Sequence, residues 1–301
     1  MRTAAHSDHR DLAPVPVWVR PLAGWAAAAL AAAIVLLDLM MLWPGASGTA
    51  YVLSLAAGVA SDGLIVGLLA LVLLRPVGLR SADRGLVLGA VVFALAVVYR
   101  VGINLLARLA APSEPTLALP TGPYVDPLVE SGLRAVGAWL LAAGIAQLVG
   151  ARRGRLATWS GPQLAAAVSG ICVAGLILAA AAFVAPVTQN RGEVPWALEV
   201  LAWTVLGVGA LTRPLVSRTR WLVAAGAGLL VASSAVAAVD LLVQGWWWGP
   251  VRAWFPALLN WHGAYVYVGE LDFLGWAALW LGLVGLTLAP GPTAPVSTPK
   301  R

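Results

Sequence analysis

The residues of this chain that could do chemistry are carboxylates and guanidiniums standing inside apolar runs. Asp38, Asp62, Glu199, Asp240, Glu270 and Asp272 each interrupt a stretch of hydrocarbon side chains, and His262 stands just before the last such stretch. A carboxylate in hydrocarbon needs a partner, a wet cavity or a function; it can accept a proton, hold a cation or bond a ligand. With Glu270, Asp272 or Asp240, His262 could relay protons or hold a divalent metal. A hydrogen bond at the membrane interface is its plainer role. Asp62, halfway along its run, is the hardest of the acids to dismiss as a helix-end charge.

A second group is periodic. Arg100, Asn104 and Arg108 recur every fourth residue, as do Asp126, Glu130 and Arg134. That spacing puts each triplet on one helix face. Both triplets start from the same end of a helical hairpin, so Arg108 should lie level with Asp126 and Arg100 with Glu130 or Arg134. The set reads as a structural ion-pair ladder, with the capture of an anionic headgroup or substrate by one arginine as the alternative. Asp38, Asp62, Glu199, Asp240, Glu270 and Asp272 have no partner in this scheme.

The elements that position these groups are membrane spans. The chain is 60% hydrophobic and 11% charged, against about a quarter charged in a soluble domain. Runs long enough to cross a bilayer lie at about 22–43, 51–74, 86–110, 127–149, 163–185, 195–212, 221–243 and 264–288. The expected fold is therefore an all-α, polytopic transmembrane bundle of about eight helices spanning 22–288. A tail covers 1–21, a Trp-rich segment covers 244–263, and a second tail covers 289–301. Asp126 followed by Pro127 marks a helix start.

Arginine and lysine set the expected orientation. Arg2, Arg10 and Arg20, then Arg75, Arg80 and Arg84, then Arg152, Arg153 and Arg155, then Arg213, Arg218 and Arg220, and finally Lys300 and Arg301 fall on every second connection. That alternation places both termini in the cytoplasm. The opposite side then carries five arginines against ten acids, and an acidic outer surface of this kind concentrates cations. The formal charge of +6 thus describes one face only. It does not signal nucleic-acid binding, because no Lys/Arg run is interleaved with aromatics.

A faint repeat accompanies this topology. Leu73, Arg75, Pro76 and Arg80 recur as Leu211, Arg213, Pro214 and Arg218, and the R-x-L-V of Arg84 to Val87 recurs at Arg220 to Val223. Twenty residues beyond those last arginines stand Asn104 and Asp240. Two parallel four-helix halves would give this pattern; so would chance, since Leu, Arg and Pro are common at helix ends.

Between the last two spans runs Trp246-Trp247-Trp248, then Trp254 and Trp261 beside His262. Tryptophan prefers the membrane interface, which makes this segment a lid on the outer surface and accounts for most of the fifteen tryptophans. Trp-rich segments that handle haem in cytochrome c maturation proteins carry W-G-x-x-W-x-W-D with flanking histidines. That spacing is lacking here, and His6 and His9 lie in the N-terminal tail, so haem is not expected. Cys172 is the single cysteine; it excludes a disulfide framework and reads as a small core residue.

No nucleotide, serine-hydrolase or metalloprotease motif stands on a suitable element. Three classes of function remain. The first is an outward-facing, acidic, Trp-lidded pocket that binds or processes a quinone- or lipid-like molecule, or another extracytoplasmic small molecule. The second is a secondary transporter for a proton-coupled or cationic solute. The third is a structural subunit whose partner in a membrane complex covers the acidic surface. One lysine against eighteen arginines points to a GC-rich bacterial source and hence to the cytoplasmic membrane.

Overall fold

The computed structural model describes residues 19–42, 49–74, 81–110, 127–148, 160–188, 193–211, 218–247 and 264–288. Within them the chain forms α1 (Val19–Leu42), α2 (Thr49–Leu74), α3 (Ser81–Ala110), α4 (Pro127–Leu148), α5 (Gly161–Thr188), α6 (Glu193–Ala210), α7 (Arg218–Trp247) and α8 (Ala264–Leu288). There are no strands among the described residues. Each helix coincides with an apolar run, because backbone N–H and C=O groups in hydrocarbon must be satisfied within the segment. Seven helices hold a window long and apolar enough to cross a membrane; in α1 the described apolar stretch is Pro21–Leu37. The chain is a multi-pass helical membrane protein.

Local sequence sets several ends. Pro127 opens α4, where its missing N–H is no loss. Before α5, the Ser160 N–H donates to Gln163 Oε1 at 2.8 Å, half of a capping box. α7 extends to Trp247, so Gln244–Trp247, the start of the Trp-rich segment, continue that helix.

Six helices close a ring in which α2 neighbours α3, α3 neighbours α4, α4 neighbours α6, α6 neighbours α7, α7 neighbours α8, and α8 returns to α2. Outside the ring, α1 packs on α2 and touches α3, while α5 packs on α6 and α7. Exchanging α1–α4 with α5–α8 leaves this set of neighbours unchanged. The helices therefore pack as two four-helix halves joined by two interfaces, α4 against α6 and α8 against α2. A sequence signal runs with this symmetry. Leu133, Gly137, Leu141 and Gly144 of α4 recur as Leu271, Gly275, Leu279 and Gly282 of α8, at the same offset that separates Arg75 from Arg213.

Glycine explains how the hairpin partners approach. A Cβ on Gly89 of α3 would stand 2.6 Å from the Leu141 backbone nitrogen of α4, and one on Gly226 of α7 would stand 2.8 Å from that of Leu279 in α8. In lipid, where apolar burial does not drive helices together, such backbone contact is a principal source of association. The buried core runs through both halves, from Ile34 and Val66 through Phe93 and Leu141 to Trp203, Leu230 and Trp276. Large apolar side chains such as Trp25, Leu106, Ile171 and Leu281 stay exposed on the outer surface, as a lipid-facing surface requires. Cys172 corrects the expectation of a core cysteine, for it is exposed. α6 and α7 cover only one side of α5, and Cys172 follows exposed Ile171 on the other.

Gly89→Val should destabilise the detergent-solubilised protein by about 1–3 kcal/mol, the usual cost of overpacking. Gly58→Ala, at a position with open space around it, should leave the thermal unfolding midpoint unchanged or raise it. Equal midpoints for both variants would refute the close-packing argument.

Candidate functional site

Among the described residues, five of the six ring helices, α2, α3, α4, α6 and α8, bring charged side chains into one largely buried layer. From α2 comes Asp62, at the middle of its helix and 6% exposed. From α3 comes Arg100, which donates to Asp62 and to Glu130 of α4 at 3.5 Å. One turn further along α4, Arg134 reaches α6 and grips Glu199 with Nε and Nη2, each 3.1 Å from a carboxylate oxygen. This two-point fork fixes direction as well as charge. Across the ring, Asp272 of α8 lies in the field of Arg134, Glu199 and Asp62, and beside it the Ser233 hydroxyl of α7 donates to the Val268 carbonyl of α8 at 3.2 Å.

Below this layer lie Phe93, Trp203 and Trp276. Their ring centroids are 5.1–5.9 Å apart, and both contacts of Trp276 are edge-on. The Arg134 guanidinium stands 5.9 Å from the Phe93 centroid, within range of a cation–π contact. Trp203 Nε1 donates to Glu199 at 3.3 Å, so Glu199 is held by a cation and an indole together. Trp276, 1% exposed, has no acceptor for its indole N–H among the described residues, and Glu270 Oε2 has no donor.

Sequence spacing and tertiary structure agree on one rung, Arg100 with Glu130. They differ on the rest. Arg100 takes Asp62 as a further partner, and Arg134 turns away from α3 to Glu199. Two of the six acids that α3–α4 periodicity leaves unpaired, Asp62 and Glu199, are thus bound by its arginines, because α2 and α6 flank that hairpin within the ring. Asp38, Asn104, Arg108 and Asp240 lie on α1, α3, α3 and α7 respectively, and their side chains are outside the described set. Asp126 and His262, with the Trp-rich segment beyond Trp247, also lie outside the described residues.

Sequence reading did not find Ser233, Phe93, Trp203 or Trp276. The two tryptophans carried a signal, since each follows an acid by four residues, Glu199 and Asp272, and so shares its helix face. Assigning tryptophan to the membrane interface obscured it; these two are interior, 1% exposed each.

Among the described residues, no three His, Cys, Asp or Glu side chains are grouped to hold a metal ion. What the layer can do is exchange protons or ion partners, with four carboxylates (Asp62, Glu130, Glu199, Asp272) facing two guanidiniums (Arg100, Arg134). Comparison with known proteins finds no matching family, no matching curated protein and no matching solved structure.

Breaking one side of a buried ion pair strands the other charge, at a cost of about 3–5 kcal/mol. With the Arg134 side chain 26% exposed, Glu199→Leu should fall near the low end, about 3 kcal/mol. Adding Arg134→Met should recover most of the loss in thermal unfolding. A double variant no more stable than Glu199→Leu would show that the pair is not the source of the effect.

Proposed function

We propose that this protein is a secondary carrier for protons or for a small cationic solute, with the charged layer as its binding and exchange site. The observation that carries the reading is the position of the layer. Four carboxylates and two guanidiniums on the ring helices meet where two four-helix halves join. Carriers built from repeats hold substrate and coupling-ion sites near the bilayer midplane at the repeat interface. The two carboxylates in excess are what a proton or a cation would neutralise, since uncompensated charge at that depth costs about 2.5–3.5 kcal/mol on insertion scales. Asp272 is the group best suited to that exchange, because the two arginines are engaged by Asp62, Glu130 and Glu199. A carrier of this kind would lie in the cytoplasmic membrane with both termini inside, as the arginine pattern predicts.

Purified protein in liposomes with an entrapped pH-sensitive dye should carry protons under an imposed potential or an opposing cation gradient. Asp272→Asn should reduce the rate at least tenfold while the protein remains monodisperse. Absence of any flux above empty liposomes, across a panel of monovalent and organic cations, would overturn the reading.

A second reading has one specific support, the unpartnered indole N–H of buried Trp276 beside Phe93 and Trp203. A ligand carbonyl meeting that donor among aromatic rings is the chemistry of a quinone- or lipid-like molecule. Protein purified in mild detergent should then carry such a molecule, detected by organic extraction and mass spectrometry, and Trp276→Phe should lower its occupancy. Empty wild-type protein would remove this reading.

A further inference from the structure

Three observations, each independent of any solute, bear on how the two halves are joined. The first is the exchange symmetry of the helix neighbours, with α4–α6 and α8–α2 as the junctions. The second concerns close packing. Among the described residues, every glycine that brings the backbones of two helices within 3.4 Å of a built Cβ does so inside a half. Gly89 against Leu141 and Gly226 against Leu279 are examples. Across the junctions, the glycine contact is Gly67 with the Trp280 side chain at 3.9 Å, an ordinary van der Waals distance. The third is that directional bonds cross where glycine does not. Arg134 reaches Glu199 from α4 to α6, and Trp280 Nε1 donates to the Leu64 carbonyl from α8 to α2 at 3.2 Å.

The recurring L-x-x-x-G-x-x-x-L-x-x-G pattern adds the decisive detail. It places Arg134 of α4 and Asp272 of α8 at equivalent positions, each directly after the first leucine. Opposite charges thus occupy matching places in the two halves, and each lies in the field of the other. We propose that the two four-helix halves rock against each other as rigid bodies, with the Arg134 guanidinium passing between Glu199 on α6 and Asp272 on α8. Backbone-level packing of α3 on α4 and of α7 on α8 keeps each half intact. The junctions are made by side chains, the packing of Phe93 on Trp203 and Trp276 and the bonds of Arg134 and Trp280, and the cation released from Glu199 finds a second carboxylate, Asp272, within the same layer. Sliding packed units past each other needs two discrete arrangements, and Arg134 has a partner in both.

The proposal extends the carrier reading but is measured without any flux. In a Cys172→Ser background, spin labels are placed on lipid-exposed positions. Leu88 with Val136, and Val205 with Leu281, report on the two halves; Val136 with Leu281 reports across the junction. Pulsed dipolar distances in liposomes should give narrow within-half distributions that Glu199→Gln leaves in place. The across-junction distribution should shift by several ångströms in Glu199→Gln, and partly in Arg134→Lys, which keeps the charge and loses the fork. Adding Asp272→Asn to Glu199→Gln should remove the shifted population. An across-junction distance that stays fixed in both single variants overturns the proposal, as do within-half distances that move with it. Movement without flux would count against the carrier reading alone; flux with fixed distances would count against this inference alone.

Discussion

A charge in hydrocarbon cannot be left to water, and the interior of this protein is arranged around that constraint. Arg100 and Arg134 stand in helices whose other side chains are almost all apolar, and each must find its counter-charge on a neighbouring helix. Arg100 takes one acid from α2 and one from α4; Arg134 takes an acid from α6. These bonds fix which helices adjoin and at what height. Apolar side chains meeting in lipid have far less power to specify either, since lipid tails are as apolar as leucine. The α2–α3–α4–α6 portion of the ring is, in this sense, assembled on two guanidiniums.

The aromatic layer beneath serves the same constraint from the other side. Phe93, Trp203 and Trp276 seal the polar layer toward the apolar core. Trp203 does so while giving its one polar atom to Glu199, and the Phe93 ring gives Arg134 a favourable contact. Polarity is thereby confined to a thin section of the bundle. Among the described residues, four acids around two arginines leave that section short of positive charge, and this imbalance lies where the two halves join.

Glycine and charge divide the remaining work. Where helices of one half meet, missing Cβ atoms let the backbones touch, and the contact is spread along several turns. Where the halves meet, side chains rather than backbones make the contact, through the packing of Phe93 on Trp203 and Trp276 and a few directional bonds. The former resist sliding; the latter can be re-formed with a new partner.

Sequence by itself determined the number and approximate positions of the helices, because a bilayer demands about twenty apolar residues per crossing and satisfies backbone polarity only within the segment. It also determined that ionisable groups lie inside those helices, and the four-residue spacing of α3 and α4 set Arg100 level with Glu130 or Arg134, of which the structure takes Glu130. The two-half organisation was legible in part: the arginine–proline recurrence was visible, while the glycine–leucine pattern of α4 and α8 was missed among common membrane residues. Only the tertiary structure decided that Asp62 and Glu199 are the acids bound to Arg100 and Arg134, and that Trp203 and Trp276 are core residues. The physical reason is that spacing along a chain reports the face of a helix, whereas a partner is set by which helix stands beside that face. In this ring α4 adjoins α6 rather than α5, a neighbour that no local pattern specifies.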